Sequence, residues 1–189
     1  IGDDAASQVY VRAKTRACKE VGIATFDHRL PATSTQSEVE ALVRALSADP
    51  RVHGVLLQLP LPAPLDAAAV LSVLSPDKDV DGLLPQSVGA LWSGGRGFVP
   101  CTPLGVMRLL REAAINLAGA HAVILGRSQL VGKPMAALLL SQNATVTLCH
   151  SRTRDLPALV GQADILVAAI GRAEHVRGHW LRPGATVID

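Results

Sequence analysis

Three groups of residues in this chain have types and spacings that could do chemistry. The first is Val123-Ile124-Leu125-Gly126-Arg127-Ser128, followed closely by Val131-Gly132-Lys133-Pro134. A short β-branched apolar run, a glycine turn and a helix start form the phosphate-facing corner of a nucleotide-binding sheet. There, free backbone N–H groups and the positive helix end meet an anion. The spacing fits neither of the commoner motifs. Ser128 and Val131 stand where G-x-G-x-x-G needs glycines, and a P-loop fails because Pro134 follows Lys133. A plain strand–turn–helix is the bland alternative. The second group is His150-Ser151-Arg152-Thr153, at the end of a strand-like run, Ala144–Cys149. NAD-binding sheets place an acid near this point to take the ribose hydroxyls. Here no carboxylate occurs before Asp155, while a hydroxyl beside the guanidinium groups of Arg127 and Arg152 suits a 2′-phosphate. The local chemistry favours NADP over NAD, and an ordinary solvated loop charge is the plain alternative for Arg152.

The third group is spread over the first half. Tyr10 and Lys14 are four residues apart in a helical stretch and so share a face; an amphipathic surface helix would account for Lys14 equally. Gln58 closes the apolar run Val52–Leu57, at the carboxyl end of a strand, where ligands bind in open α/β sheets. Asp77-Lys78-Asp79-Val80-Asp81-Gly82 puts three acids in one short loop. It lacks the distal glutamate of a calcium loop, and a solvated turn is the alternative. His175 and His179 are also four apart, but no third ligand accompanies them, so no metal site is expected.

The elements that must position these groups alternate between helix and strand. Ala5–Val21 has apolar residues every four positions (Val9, Ala13, Ala17, Val21) and predicts a helix ending at Gly22. Ile23–Phe26 reads as a short strand. Thr35-Gln36-Ser37-Glu38 is a capping box opening a helix through Leu46, with Val39, Leu42, Val43 and Leu46 inward. Val52–Leu57 reads as a buried strand, Asp66–Leu74 as a helix and Pro76–Pro85 as a polar loop. After the glycine-rich connector Ser93–Gly97, a helix is expected from Pro103 to about Ala114. Then follow the strand at Val123–Leu125, a crossover helix at Met135–Ser141, the strand at Ala144–Cys149, a helix near Leu156–Val160, and strands at Ile165–Ala169 and Ala185–Ile188. The pattern predicts an α/β fold with mostly parallel sheets and a boundary near Pro100.

Composition narrows the function classes. The chain has 189 residues, 49% of them hydrophobic and 18% charged, with a formal net charge of +2, which suits a globular protein with a sizeable core. That charge balance points to neither nucleic acid nor a membrane surface. Aromatic residues are only 3%, too few for a row of stacking rings on a single strand. Cys18, Cys101 and Cys149 are odd in number and widely spaced, which fits a reducing compartment.

Taken together, the motifs resemble one family. Gly2–Ser7 with Tyr10 and Lys14, Val52–Val55 with Gln58-Leu59-Pro60-Leu61-Pro62, Lys78–Gly82, Pro100–Pro103, Gly126–Ser128 with Val131–Pro134, and His150–Thr153 occur in the order found in methylenetetrahydrofolate dehydrogenase/cyclohydrolases. The resemblance covers essentially the whole chain, though the family's opening segment and the stretch after Asp189 are not in it. It implies residues 1–99 as a folate-binding catalytic α/β domain and residues 100–189 as a Rossmann-like NADP-binding domain. The implied activity is NADP-dependent oxidation of 5,10-methylenetetrahydrofolate, followed by hydrolysis of the methenyl product to 10-formyltetrahydrofolate. This belongs to one-carbon metabolism that feeds purine synthesis. It further implies Lys14 as the acid/base of hydrolysis, partly desolvated, with Gln58 orienting it. Tyr10 would stack on the folate, Asp81 would take the pterin's N–H donors, and Gly126, Arg127, Ser128 and Ser151 would contact the dinucleotide. Arg152 joins that last set on charge alone. A cytoplasmic homodimer is the implied assembly. Two rivals stay open at this stage: a dehydrogenase sharing only the nucleotide half, and a catalytically inactive binding module.

Overall fold

A computed structural model describes residues 1–2 and 5–189, with the backbone alone at Ala6; Asp3 and Asp4 of the Gly2–Ser7 motif lie outside the described residues. The chain packs into two compact units, Ile1–Val80 and Asp81–Asp189. Among the described residues no helix is long and apolar enough to cross a membrane.

In the first unit, α1 spans Ala5–Glu20, α2 Gln36–Ala48 and α3 Ala67–Ser72. The capping box forms as the sequence predicts. The Thr35 hydroxyl accepts the Glu38 amide, and the Glu38 carboxylate takes the Thr35 amide at 2.8 Å, which holds that carboxyl below its usual range. α3 starts at Asp66, whose carboxylate accepts the amides of Ala68 and Ala69. The Gln36 side-chain amide holds both backbone groups of Asp66, its Nε2 donating to the carbonyl and its Oε1 accepting the amide, which ties the two helix starts together. Val39 and Val43 of α2, Val70 of α3 and Leu74 just past the end of α3 form the small core.

Two expected strands are corrected. Ile23–Phe26 forms no strand and has no ladder partner among the described residues, and Ile23 and Phe26 are largely exposed. In Val52–Leu57 the pairing amounts to one parallel bridge, Val55 to Asp79. β-branched composition favours extended backbone, but a strand exists only where a neighbour completes the ladder. The supposed polar loop at Pro76–Pro85 is also corrected. It holds a 3-10 turn at Pro76–Lys78 and buries Asp79, Leu83 and Leu84.

In the second unit, α4 spans Pro85–Ser93, α5 Cys101–Glu112, α6 Gly132–Ser141 and α7 Leu156–Gly161. The strands are β1 (His121–Leu125), β2 (Thr145–Cys149), β3 (Ile165–Ala168) and β4 (Thr186–Ile188). Sequence reading passed over α4, although Pro85 at its start and left-handed Gly94 at its end (φ +72°) mark its limits. α4 packs on α6. The sheet is wholly parallel, in the order β2-β1-β3-β4.

β1 is covered on both faces. Ala122 and Ile124 face α5 and α6 through Val106, Leu110, Met135 and Leu139; Val123 and Leu125 face Val160 and Leu166. This alternation is why the strand reads as a continuous apolar run. Each such buried side chain stabilises the fold by roughly 1.5–3 kcal/mol. The chain leaves β1 for β2 on one side, then returns to place β3 on the other. Ligands in such sheets bind in the crevice at this reversal, outside the carboxyl ends of the strands.

Candidate active site

Each unit presents one cluster of chemically capable side chains. In the first, Lys14 stands on α1 and its Nζ donates to Gln58 Oε1 at 3.4 Å. Gln58 Nε2 donates to the Leu59 carbonyl at 2.9 Å, so the amide is turned with its oxygen toward the lysine. An amide oriented in this way can only accept from the ammonium, which fixes the direction of one Lys14 N–H. Tyr10 lies one helical turn before Lys14, 63% exposed, its ring open to stack on a flat ligand. Lys14 is itself exposed.

The segment that ends in Gln58 is held by the Asp77–Gly82 motif. The Val55 amide donates to the Lys78 carbonyl at 2.9 Å. A Cβ at Gly54 would fall on Val80 Cγ1, so the two segments meet at closest approach there. Lys78 Nζ reaches across to the end of α2, donating to the carbonyls of Leu46 (3.0 Å) and Asp49 (2.8 Å). Its charge also satisfies the negative end of that helix. Asp49 next to it sits at about 2, held down first by Arg51, whose guanidinium and amide both donate to the carboxylate, with Lys78 a smaller cause. Sequence reading missed Lys78 because its partners lie some thirty positions away. Asp81 is half-buried at the start of the second unit.

In the second unit Gly126 leaves β1 at φ +110°, and its amide donates to the Cys149 carbonyl at the end of β2. A Cβ there would strike the Ala169 carbonyl oxygen at the end of β3. Gly132 faces the same loop from the start of α6, where a Cβ would fall on the Gly126 carbonyl and 2.9 Å from Arg127 Cα. Both glycines let three chain segments close to contact. The register pairs Leu125 with Cys149, so Arg127 and Ser128 leave the sheet beside Ser151 and Arg152. All four are exposed on one edge.

The expected free N–H groups at the helix start are corrected. The Ser128 hydroxyl accepts the amides of Val131 (3.1 Å) and Gly132 (3.4 Å), its carbonyl accepts the Lys133 amide, and Pro134 has none. Ser128 therefore caps α6 from within the loop, and the cationic and hydroxyl side chains of the edge carry the anion-binding capacity. These residues fit a dinucleotide with a 2′-phosphate: a glycine cradle at the strand reversal, two guanidinium groups and no acid between the end of β2 and Asp155. Cys149 lies buried beneath the edge, its thiol pushed up by burial, with the Thr153 hydroxyl opposing the shift. His175 and His179 flank the Trp180 ring edge-on, at 6.1 and 6.3 Å.

The family models for the tetrahydrofolate dehydrogenase/cyclohydrolase catalytic domain and for its NAD(P)-binding domain match residues 1–81 and 100–189. Over all 189 residues the chain is 58% identical to bifunctional protein FolD 3 of Rhizorhabdus wittichii and 59% identical to bifunctional protein FolD of Sphingopyxis alaskensis. It spans 62% and 63% of their lengths. Among solved structures, the bifunctional FolD of Campylobacter jejuni is 45% identical with a TM-score of 0.95, covering 100% of this chain and 67% of that one. The Trypanosoma brucei FolD, solved with NADP and an inhibitor, is 41% identical with a TM-score of 0.94, covering 98% and 64%. This chain belongs to the tetrahydrofolate dehydrogenase/cyclohydrolase family.

Proposed function

We propose that this chain carries the two reactions of its family: NADP-dependent oxidation of 5,10-methylenetetrahydrofolate, and hydrolysis of the methenyl product to 10-formyltetrahydrofolate. The observation that carries the reading is the Lys14–Gln58 hydrogen bond, with the Gln58 amide oriented by Leu59. Residues 1–99 are assigned to folate chemistry and residues 100–189 to the cofactor.

The two steps make different demands on the protein. The carbon that loses hydride sits between two nitrogens, which stabilise the resulting cation without a protein base. NADP, when bound, accepts that hydride. The chain's part in the first step is to hold the reactants at near-attack distance. Tyr10 stacks on the folate and Asp81 takes the pterin's amino and ring N–H groups on its two oxygens. Arg127, Ser151 and Arg152 hold the 2′-phosphate, while Gly126 and Ser128 shape the corner. Water addition to the cationic carbon needs proton movement, and Lys14 supplies it. A bound cationic substrate, by excluding water and adding like charge, favours the neutral amine. Gln58 keeps that amine aimed at the reacting carbon. The implied assembly is a homodimer in the cytoplasm.

Steady-state assay with methylenetetrahydrofolate, NADP and NAD side by side tests the proposal. NADPH formation with release of 10-formyltetrahydrofolate is the expected outcome. Arg127→Ala should weaken NADP by roughly 1.5–3 kcal/mol and leave NAD nearly unchanged. Equal losses on the two cofactors, or no oxidation with either, would contradict it.

A further inference from the structure

We propose that His150 is a positioning residue for cofactor specificity: its Nδ1 accepts the Arg152 amide and so shapes the turn that offers Ser151 and Arg152 to a 2′-phosphate. The inference rests on the NADP reading above and deepens it. That reading assigns the phosphate to Ser151 and the arginines; nothing in it gives His150 a part.

Three hydrogen bonds close the turn His150–Thr153. The Thr153 amide donates to the His150 carbonyl at 2.9 Å. The His150 amide donates to the Thr153 hydroxyl oxygen at 2.8 Å. The Arg152 amide donates to His150 Nδ1 at 3.1 Å. A ring nitrogen that accepts an N–H carries a lone pair, so the neutral imidazole holds its proton on Nε2. A side-chain δ atom accepting the amide two residues on is the geometry in which Asn or Asp makes an Asx turn. Here an imidazole does the same work.

The consequence lies in which donors remain. The amides at 150, 152 and 153 all have partners inside the turn. Among the described residues no hydrogen bond uses the Ser151 amide or hydroxyl, and Ser151 and Arg152 are exposed while His150 is half-buried. The turn therefore hangs from buried Cys149, with its base fixed and its tip presenting one amide, one hydroxyl and one guanidinium. Those groups match the oxygens of a phosphate monoester. The Nδ1 bond sets the plane of the Ser151–Arg152 peptide, and with it the direction of both side chains. NAD offers only an uncharged ribose hydroxyl there. His150 thus acts on the difference between the two cofactors, not on the affinity they share.

Calorimetric titration of the protein with adenosine 2′,5′-bisphosphate and with adenosine 5′-monophosphate reads that difference without turnover. Three variants separate the explanations. His150→Ala removes the acceptor and should lower bisphosphate affinity roughly tenfold, the worth of one hydrogen bond, with the monophosphate unchanged. His150→Asn restores an acceptor at the δ position and should recover most of the preference. His150→Gln places its amide one carbon further out and should not. Preference intact in His150→Ala, or equal loss on both ligands, would overturn the proposal. So would recovery by Gln but not Asn, which would mean that Nε2 touches the phosphate directly. Should His150→Ala fail to fold, the Asn and Gln variants decide between them. Wild-type protein binding the two ligands equally would instead remove the NADP reading itself.

Discussion

Arg127 follows β1, where Ala122, Val123 and Ile124 are at 0% exposure, and Ser151 and Arg152 follow Cys149, the buried end of β2. Tyr10 and Lys14 stand on a helix none of whose described side chains is buried, and Val9 there is 58% exposed. In the second unit the register of a parallel sheet and its packing bring the cofactor loops together, and the turn at His150 orients Ser151 and Arg152 on that frame. In the first, a few polar bonds do the placing: Lys14 to Gln58, Gln58 to Leu59, and Lys78 to the end of α2. The two regions should therefore fail in different ways. Steric change should break the frame of the second, where loss of a polar group shifts only cofactor preference, whereas loss of single polar groups should break the first outright.

The largest effect is expected at Lys14. Lys14→Met keeps the stem and the helix but removes the proton carrier, so hydrolysis should fall by ~10²–10⁴-fold while oxidation continues. Accumulating methenyltetrahydrofolate, followed by absorbance beside NADPH, reads both rates. Normal hydrolysis would make Lys14 a surface charge. Next comes Gly126→Ala, which adds a Cβ at φ +110° against the Ala169 carbonyl. It should cost about 3 kcal/mol in chemical denaturation and abolish cofactor binding. An unchanged unfolding midpoint would mean the corner has room that the structure denies it.

Lys78→Met should have the smallest effect of the three. It removes two charge-assisted bonds to helix carbonyls, for a loss of about 2 kcal/mol. Urea unfolding should register the loss while NADP titration does not, because the cofactor corner lies in the other unit. Equal damage to both would erase the distinction drawn between the two regions.

Legibility in the sequence follows the same divide. β1, α6 and β2 were readable because each is a local pattern whose neighbours come next in the chain. The capping box at Thr35–Glu38 was readable for the same reason. Ile23–Phe26 and Val52–Leu57 carry the same β-branched signal, yet pairing is a property of a partner and composition cannot supply one. Asp79 looked like a solvated acid and is 1% exposed, because the motif around it is clamped between α2 and the Val55 segment. Ser128 was legible as a loop hydroxyl, but its turn back onto the start of α6 was not. The Lys78 reach to Leu46 and Asp49 leaves no trace in local spacing.

The account turns on Lys14 and Gln58 working as one device in the first unit. Its most direct test is a double-mutant cycle on methenyltetrahydrofolate hydrolysis with Lys14→Met, Gln58→Ala and the pair combined. If Gln58 acts only by aiming Lys14, removing it after the lysine has gone should cost almost nothing, so the double variant should hydrolyse no more slowly than Lys14→Met. Fully additive losses would contradict the account, because they would mean that the two side chains serve the reaction independently.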